Sequence, residues 1–344
     1  MPRMATPPSS ATAVTVRDVA LRDGLQAIAR TVPTEIKRLW LQQAYDAGLR
    51  ELEVGSFVPA RLLPQLADTA ELLAFAQTLP GLTASVLVPN LRGAQAAMEA
   101  EAAWMLLPLS ASHAHSLANL RKTPDEVLRE IEAIRRARDA AGSHCRLEVG
   151  LSTAFGCTIQ GRVDPAEVLR LVRALVELGV DRIGLADTVG YADPAQVAAL
   201  FTQAFEIAGN PEEGRLACGH FHDTRGLGLA NVYAAWSVGV RRFDACVGGI
   251  GGCPHAPGAS GNVATEDVAW LFASMGQPTG LDFERLMALR GQLAVWLEGE
   301  PLHGSIWRAG LPKTLRGAGT APSPLPSPTR GEGASNSCTA DLPR

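Results

Sequence analysis

Three short stretches carry side chains able to do chemistry together. Arg22, Asp23 and Gly24 stand in LRDGLQ, just past an apolar, strand-like run. A carboxylate there can bind a divalent ion and the neighbouring guanidinium can stabilise a developing oxyanion, although a surface turn with an ion pair has the same residues. His220 and His222 stand two apart in GHFHDT. Side chains alternate along a strand, so both imidazoles point one way, as half of a metal site or as two strand histidines with ordinary hydrogen bonds. Residues 247–262, VGGIGGCPHAPGASGN, hold six glycines, with Cys253 among them and Asn262 at the end. Such a loop can lie tightly over a substrate or move as a lid, or simply shape a turn. Cys253 could then give or take a proton, and Asn262 could add a neutral oxygen ligand. The loop lacks the GxxxxGK[ST] pattern of a phosphate loop. Asp23, His220, His222 and Asn262 form a mixed oxygen and imidazole set that suits Mg²⁺, Mn²⁺ or Zn²⁺.

Other polar residues fall at similar boundaries. Glu53 in ELEVGSF could orient the Arg22 region or a metal-bound water, or be a surface glutamate. Asp187 in GLADTVG, and Ser152, Thr153 and Cys157 further upstream, read by themselves as loop-shaping hydrogen-bond groups.

The elements that must position these residues alternate regularly. Strand-like runs at 14–19, 49–54, 82–88, 103–109, 145–151, 182–186, 216–222 and 242–245 are each followed by a helical pattern, at 34–48, 62–78, 91–100, 124–141, 165–178, 194–208, 227–237 and 263–275. Such alternation means parallel strands with crossover helices, and eight units favour a (β/α)8 TIM barrel over a doubly wound sheet. In a barrel the chemistry lies where strands end and loops begin, which is where the unusual polar residues fall. One more helix is expected at 283–297. Residues 1–13 read as a flexible leader, 14–300 as the catalytic barrel, 301–316 as a C-terminal extension and 317–344, rich in Pro, Ser and Gly, as a disordered tail.

Composition narrows the function classes. The 344 residues are 47% hydrophobic and 19% charged, enough apolar material for a sizeable core. A net charge of -4 offers no basic excess to neutralise nucleic-acid phosphates, while leaving room for a local anion site. The six cysteines include no CxxC pair and read as reduced thiols of a cytoplasmic protein. No signal peptide or membrane-spanning run stands out, so no membrane partner is expected.

Longer motifs sharpen the reading. RDGLQ at 22–26, LEVGSF at 52–57, LVPNLRG at 87–93, GLADTVG at 184–190, HFHDTRGLGLAN at 220–231 and VGGIGGCPHAPGASGNVATED at 247–267 together resemble the hydroxymethylglutaryl-CoA lyases, from about residue 14 to 273. The resemblance implies a barrel holding Mg²⁺ or Mn²⁺ on Asp23, His220, His222 and Asn262. It implies Arg22 at the enolate-like oxygen of the leaving acetyl-CoA, Glu53 in the catalytic centre and Cys253 as the loop cysteine, with Cys253 or His220 as proton donor. The implied reaction cleaves 3-hydroxy-3-methylglutaryl-CoA to acetyl-CoA and acetoacetate, a step of leucine degradation. Arg22, Gln26, Asn90, Ser112, Ser152, Thr153 and Asp187 are the substrate-binding candidates, with Arg92 and Asn119 further positions for the CoA arm. Family members are often dimers, so a homodimer is an expectation.

The chain departs from the family pattern at three places: Ala20-Leu21 before the first motif, Ser110 to His113, and Ser152 to Thr158 with Phe155 and Thr158. None removes an implied metal ligand. All lie where an acyl group or the CoA arm would be read, which leaves a related 3-hydroxyacyl-CoA with a different branch as an alternative. Two further classes compete with the lyase: a Claisen-type acyl-CoA synthase and a non-catalytic acyl-CoA-binding protein. Most such synthases carry a further C-terminal region, for which the tail here is too poor in core residues.

Overall fold

The fold follows from alternation along the strands. In β5 (Arg146–Ser152), Leu147, Val149 and Leu151 are fully buried against helices, while Glu148, Gly150 and Ser152 line an interior cavity. The same division holds in β6 (Arg182–Asp187), where Ile183 and Leu185 are buried while Gly184 and Ala186 line that cavity. These elements belong to a computed structural model that describes residues 13–209, 214–251, 261–277 and 279–313.

Six further strands complete the set: β1 (Thr15–Asp18), β2 (Glu51–Ser56), β3 (Thr83–Leu87), β4 (Trp104–Ser110), β7 (Leu216–Phe221) and β8 (Arg242–Ala245). All eight are parallel and close in sequence order, β8 pairing with β1 through Thr15–Arg242 to Asp18–Ala245. The protein is therefore a (β/α)8 TIM barrel, as the alternation predicts. Its helices are α1 (Thr34–Asp46), α2 (Thr69–Gln77), α3 (Leu91–Glu99), α4 (His113–Leu120), α5 (Pro124–Ala140), α6 (Pro165–Leu178), α7 (Pro194–Ala208), α8 (Gly228–Ser237), α9 (Thr265–Ser274), α10 (Phe283–Trp296) and α11 (Ser305–Ala309).

Local chemistry fixes where the helices start. Thr123, Asp164 and Asp193 cap α5, α6 and α7, each followed by proline in the first turn. The apolar faces of these helices then cover the outer faces of the strands, with Leu171 and Leu175 of α6 and Val197 and Phe201 of α7 in the core. Among the described residues no helix is long and apolar enough to cross a membrane.

Three local readings need correction. The single helix expected over 62–78 is a short 3₁₀ turn, Pro64–Leu66, followed by α2. Thr69, its first residue, is bound down to β2: its hydroxyl accepts from Ser56 N at 2.9 Å and donates to Leu66 O at 2.7 Å. Gly55 makes this approach feasible, because a Cβ there would lie 2.2 Å from the Thr69 hydroxyl. Second, α4 is not expected from the sequence. It is short and is started by Ser112, whose hydroxyl accepts from His115 N. Third, Ala20–Gly24 is a π-helical turn in place of a simple turn at Gly24.

The chain divides after Ala309, and of the remainder only residues 310–313 are described. Before that division the chain is still tied down. Asp267 of α9 accepts from Ser305 N and Ile306 N, at 2.7 and 2.8 Å.

Candidate active site

The site is assembled at the C-terminal ends of the strands. At the end of β1 the Val19 carbonyl accepts from Arg22 N, Asp23 N and Gly24 N at 3.1, 2.7 and 3.4 Å, coiling the chain tightly. This π-turn delivers both Arg22 and Asp23 to the interior cavity. Arg22 is held from two sides, by Asp23 Oδ1 at 2.5 Å and by Glu53 Oε2 at 2.7 Å. Burial opposes its charge, but Glu53 and Asp23 more than offset that and hold it firmly cationic. Burial likewise works against the Asp23 carboxylate, yet Arg22 and then the two histidines draw its pKa down to about 2.

The strand histidines do share a face. Their ring centroids are 5.2 Å apart, and ligand atoms of Asp23, His220 and His222 all lie within 4.8 Å of one another. His220 Nδ1 faces Asp244 Oδ2 at 3.2 Å, which leaves Nε2 as the free ring nitrogen. His222 is buried, and burial followed by the neighbouring His220 lowers its pKa to about 3, so its ring is neutral near pH 7. Its Nδ1 has no hydrogen-bond partner among the described residues. Asn262 donates from Nδ2 to Asp23 Oδ2 at 2.7 Å, and its buried Oδ1 has no partner among the described residues. Unused buried acceptors beside a low-pKa carboxylate are what a hard or borderline divalent cation requires, so these four residues fit one.

Beneath this group lies a cavity of about 180 Å³. Its floor is ionic. Arg17 of β1 donates from Nε to Asp244 at 2.7 Å and from Nη1 and Nη2 to Glu148 at 2.9 and 2.7 Å. Asp244 is thereby held well below the usual carboxylate range, against the pull of burial. Arg17, Glu148, Cys218 and Asp244 all line the cavity, and sequence reasoning missed their role. The available signal was their place on the inward face of strands β1, β5, β7 and β8.

The other candidates separate into two groups. Gln26, Ser152 and Asn119 line the cavity. Glu53 is 0% exposed and outside the lining; it supports Arg22 from behind. Asp187 accepts from Tyr191 N and Ala192 N, shaping its own loop. Thr153, held at φ 55°, contacts Ser110 Oγ at 2.8 Å and accepts from Ser112 N. Ser112 and Asn90 cap α4 and α3. For Asp187, Thr153 and Ser112, cavity lining gives way to internal hydrogen bonds, since each side-chain oxygen is used by nearby groups. Asn90 lies instead with Phe57, Pro59, Arg61 and Arg92 in a second cavity of about 440 Å³. Cys253 lies outside the described residues. The ends of its loop are close, since Gly261 approaches so near that a Cβ would meet Gly251 O at 1.8 Å.

The model of the HMGL-like family matches residues 13–292. The hydroxymethylglutaryl-CoA lyase of Bacillus subtilis is 37% identical over 292 residues, covering 84% of this chain and 94% of that protein. The (R)-citramalyl-CoA lyase of Chloroflexus aurantiacus is 38% identical over 308 residues, covering 87% and 95%. Among solved structures, an HMG-CoA lyase from Acinetobacter baumannii in complex with coenzyme A and 3-methylmalate superposes with a TM-score of 0.82 at 37% identity, over 92% of this chain and 100% of that one.

Proposed function

The chain belongs to the HMGL-like family and is a lyase acting on acyl-CoA, and from that premise we propose that it cleaves 3-hydroxy-3-methylglutaryl-CoA to acetyl-CoA and acetoacetate. The observation that carries the proposal is the meeting of Arg22 with the Asp23, His220 and His222 cluster at the cavity. A retro-Claisen cleavage needs a way to acidify a tertiary hydroxyl, a cation for the enolate that leaves, and a proton for that enolate.

Asp23, His220, His222 and Asn262 would hold a divalent ion, Mg²⁺ or Mn²⁺. Such an ion, when bound, supplies Lewis acidity to the C3 hydroxyl of the substrate. The hydroxyl proton is lost, the C2–C3 bond breaks, and its electron pair moves onto the thioester as an enolate while C3 becomes a ketone. Arg22 lies where it would neutralise the enolate oxygen, its position fixed by Glu53 and Asp23. One proton then returns to C2 and balances the one removed. Of the two candidate donors, Cys253 and His220, Cys253 is left for this step, because His220 would have Nε2 on the ion and Nδ1 on Asp244. Asp244 fixes the His220 ring, so His220 offers one defined nitrogen to the site. The CoA arm would leave over the rim beyond β2 and β3, where Arg61 and Arg92 line the second cavity and suit its phosphates.

A lyase assay tests the reading. Metal-loaded protein should release acetoacetate from 3-hydroxy-3-methylglutaryl-CoA, EDTA should abolish the release, and Mg²⁺ or Mn²⁺ should restore it. Folded, metal-replete protein that leaves the thioester intact would refute the proposal. A second reading, cleavage of (R)-citramalyl-CoA, is favoured by the equally similar Chloroflexus relative. It predicts release of pyruvate with acetyl-CoA when (R)-citramalyl-CoA replaces the substrate in that assay.

A further inference from the structure

Barrel interiors are ordinarily filled by layers of branched side chains. One wall of this barrel is not. Pro108, Gly150 and Gly184 are register neighbours across β4, β5 and β6, so two adjacent inward positions carry no side chain. Ala186 stands one inward step beyond Gly184 and adds a single carbon. A Cβ built on Gly150 would meet only Leu106 Cδ1, at 3.7 Å, so a side chain has room there and none is present. Glycine inside a strand weakens it, and it commonly marks a place where a ligand comes close.

The recess has a definite chemistry. Leu87, Leu106 and Pro108 give it an apolar side, and Glu148 and Ser152 flank Gly150 on the same inward face of β5. It lies across the barrel from Arg22 and Asp23, because β5 is diametrically opposite β1 in a ring of eight. On its floor each Arg17 nitrogen is already engaged, by Asp244, Glu148 or Cys218. A substrate carboxylate therefore gains nothing by turning downward, whereas an alkyl group gains apolar contact. With the C3 hydroxyl at Asp23, His220 and His222 and the thioester at Arg22, C3 still carries its branch and its carboxymethyl arm, and of these the branch suits a recess bordered by Leu87, Leu106 and the Glu148 carboxylate.

We propose that this recess binds the C3 branch of the substrate and admits alkyl branches longer than methyl, with Gly150 the position that determines branch size. The inference rests on the lyase reading above and extends its substrate class to 3-hydroxy-3-alkylglutaryl thioesters. The reaction is unchanged. A propyl branch would leave on the ketone product, giving acetyl-CoA and 3-oxohexanoate.

The test compares acetyl-CoA release from 3-hydroxy-3-methylglutaryl-CoA and its 3-propyl analogue, by the metal-loaded full chain and by Gly150→Val. In the unsubstituted protein kcat/KM for the propyl analogue should be within about tenfold of that for the methyl compound. Gly150→Val should lower the propyl value by about 10- to 200-fold more than it lowers the methyl value, the range set by crowding a hydrophobic subsite, so the propyl-to-methyl ratio is the readout. Gly150→Ala should fall between the two and guards against a valine variant that folds poorly. Efficient methyl cleavage with propyl cleavage already depressed more than about 200-fold overturns the inference and leaves the lyase reading intact. Equal loss on both substrates in the alanine variant also overturns it. If neither thioester is cleaved, the lyase reading fails and this inference with it.

Discussion

Arg22 is pulled two ways, toward Asp23 at 2.5 Å and toward Glu53 at 2.7 Å, so its guanidinium is placed before any substrate arrives. Preorganised charge of this kind acts on the transition state more than on the bound thioester. Arg22→Ala should therefore lower kcat by about 10²- to 10³-fold with only a small change in KM. Steady-state kinetics decide the matter, and a raised KM at near-normal kcat would assign Arg22 to binding. The proposed metal ligands make a second case. His222 is neutral near pH 7, but His220 is different: burial favours its neutral form, and the hydrogen bond and charge of Asp244 outweigh that and raise its pKa. An arriving cation must displace that proton. Mn²⁺ affinity should thus climb with pH between 6 and 8, with proton release measurable by calorimetry in buffers of different ionisation enthalpy. A flat affinity across that range would mean that His220 is already neutral when it binds. The spacing of His220 and His222 and the Arg22-Asp23 pair are legible in the sequence because each motif is local. Asp244 is not, since only the closed barrel brings it within 3.2 Å of His220.

At the scale of elements, the loop after β8 and the start of α9 are locked together by Glu266. It is 0% exposed and accepts from Gly248 N at 3.1 Å, with Arg290 of α10 at 3.4 Å. Burial raises its pKa from 4.5 to about 7. A carboxyl with a raised folded pKa keeps a proton that the unfolded chain has already lost. Its contribution to stability is full below the unfolded value and is lost as pH rises through the folded one. At about 1.4 kcal/mol per pH unit this amounts to roughly 3 kcal/mol between pH 4.5 and 8. Glu266→Gln cannot ionise yet keeps an oxygen for Gly248 N. Denaturant unfolding in EDTA should show the variant gaining on the unsubstituted protein by roughly that amount as pH rises over this window. Parallel profiles would show that Arg290 keeps Glu266 ionised throughout. Most elements could be read in advance, because apolar period and helix starts such as Asp164-Pro165 and Asp193-Pro194 are local signals. The exceptions have a nonlocal cause. Residues 62–78 break where Thr69 is drawn to β2, and α4 is a short helix whose start depends on the Ser112 hydroxyl.

Across the whole molecule, the barrel axis is a chain of charges and not an apolar plug. Glu51 is clasped by Arg242 at 2.7 Å on both oxygens. Arg182 stands 3.8 Å from both Glu51 and Glu148, Glu148 pairs with Arg17, and Arg17 pairs with Asp244, which reaches His220. Alternation in VTVRDV and RLEVGLS tells which residues share a face, and it is silent on whether that face meets solvent or a closed interior. That is why eight strands were legible and the polarity of their centre was not. Buried ion pairs add little against a well-packed apolar alternative, but breaking one strands its partner. Arg17→Met should accordingly cost about 3–5 kcal/mol, since it leaves Glu148 and Asp244 without their guanidinium. Adding Glu148→Met should recover a substantial part of that loss, because the remaining Asp244 keeps His220 and Arg182 and Arg242 keep Glu51. Denaturant unfolding of the two single variants and the double gives the coupling directly. Strong coupling would establish that Arg17 and Glu148 are held as a unit within the column that ends at His220. Simple addition of the two penalties would mean that each pair stands alone and that changes below the cavity do not reach the site.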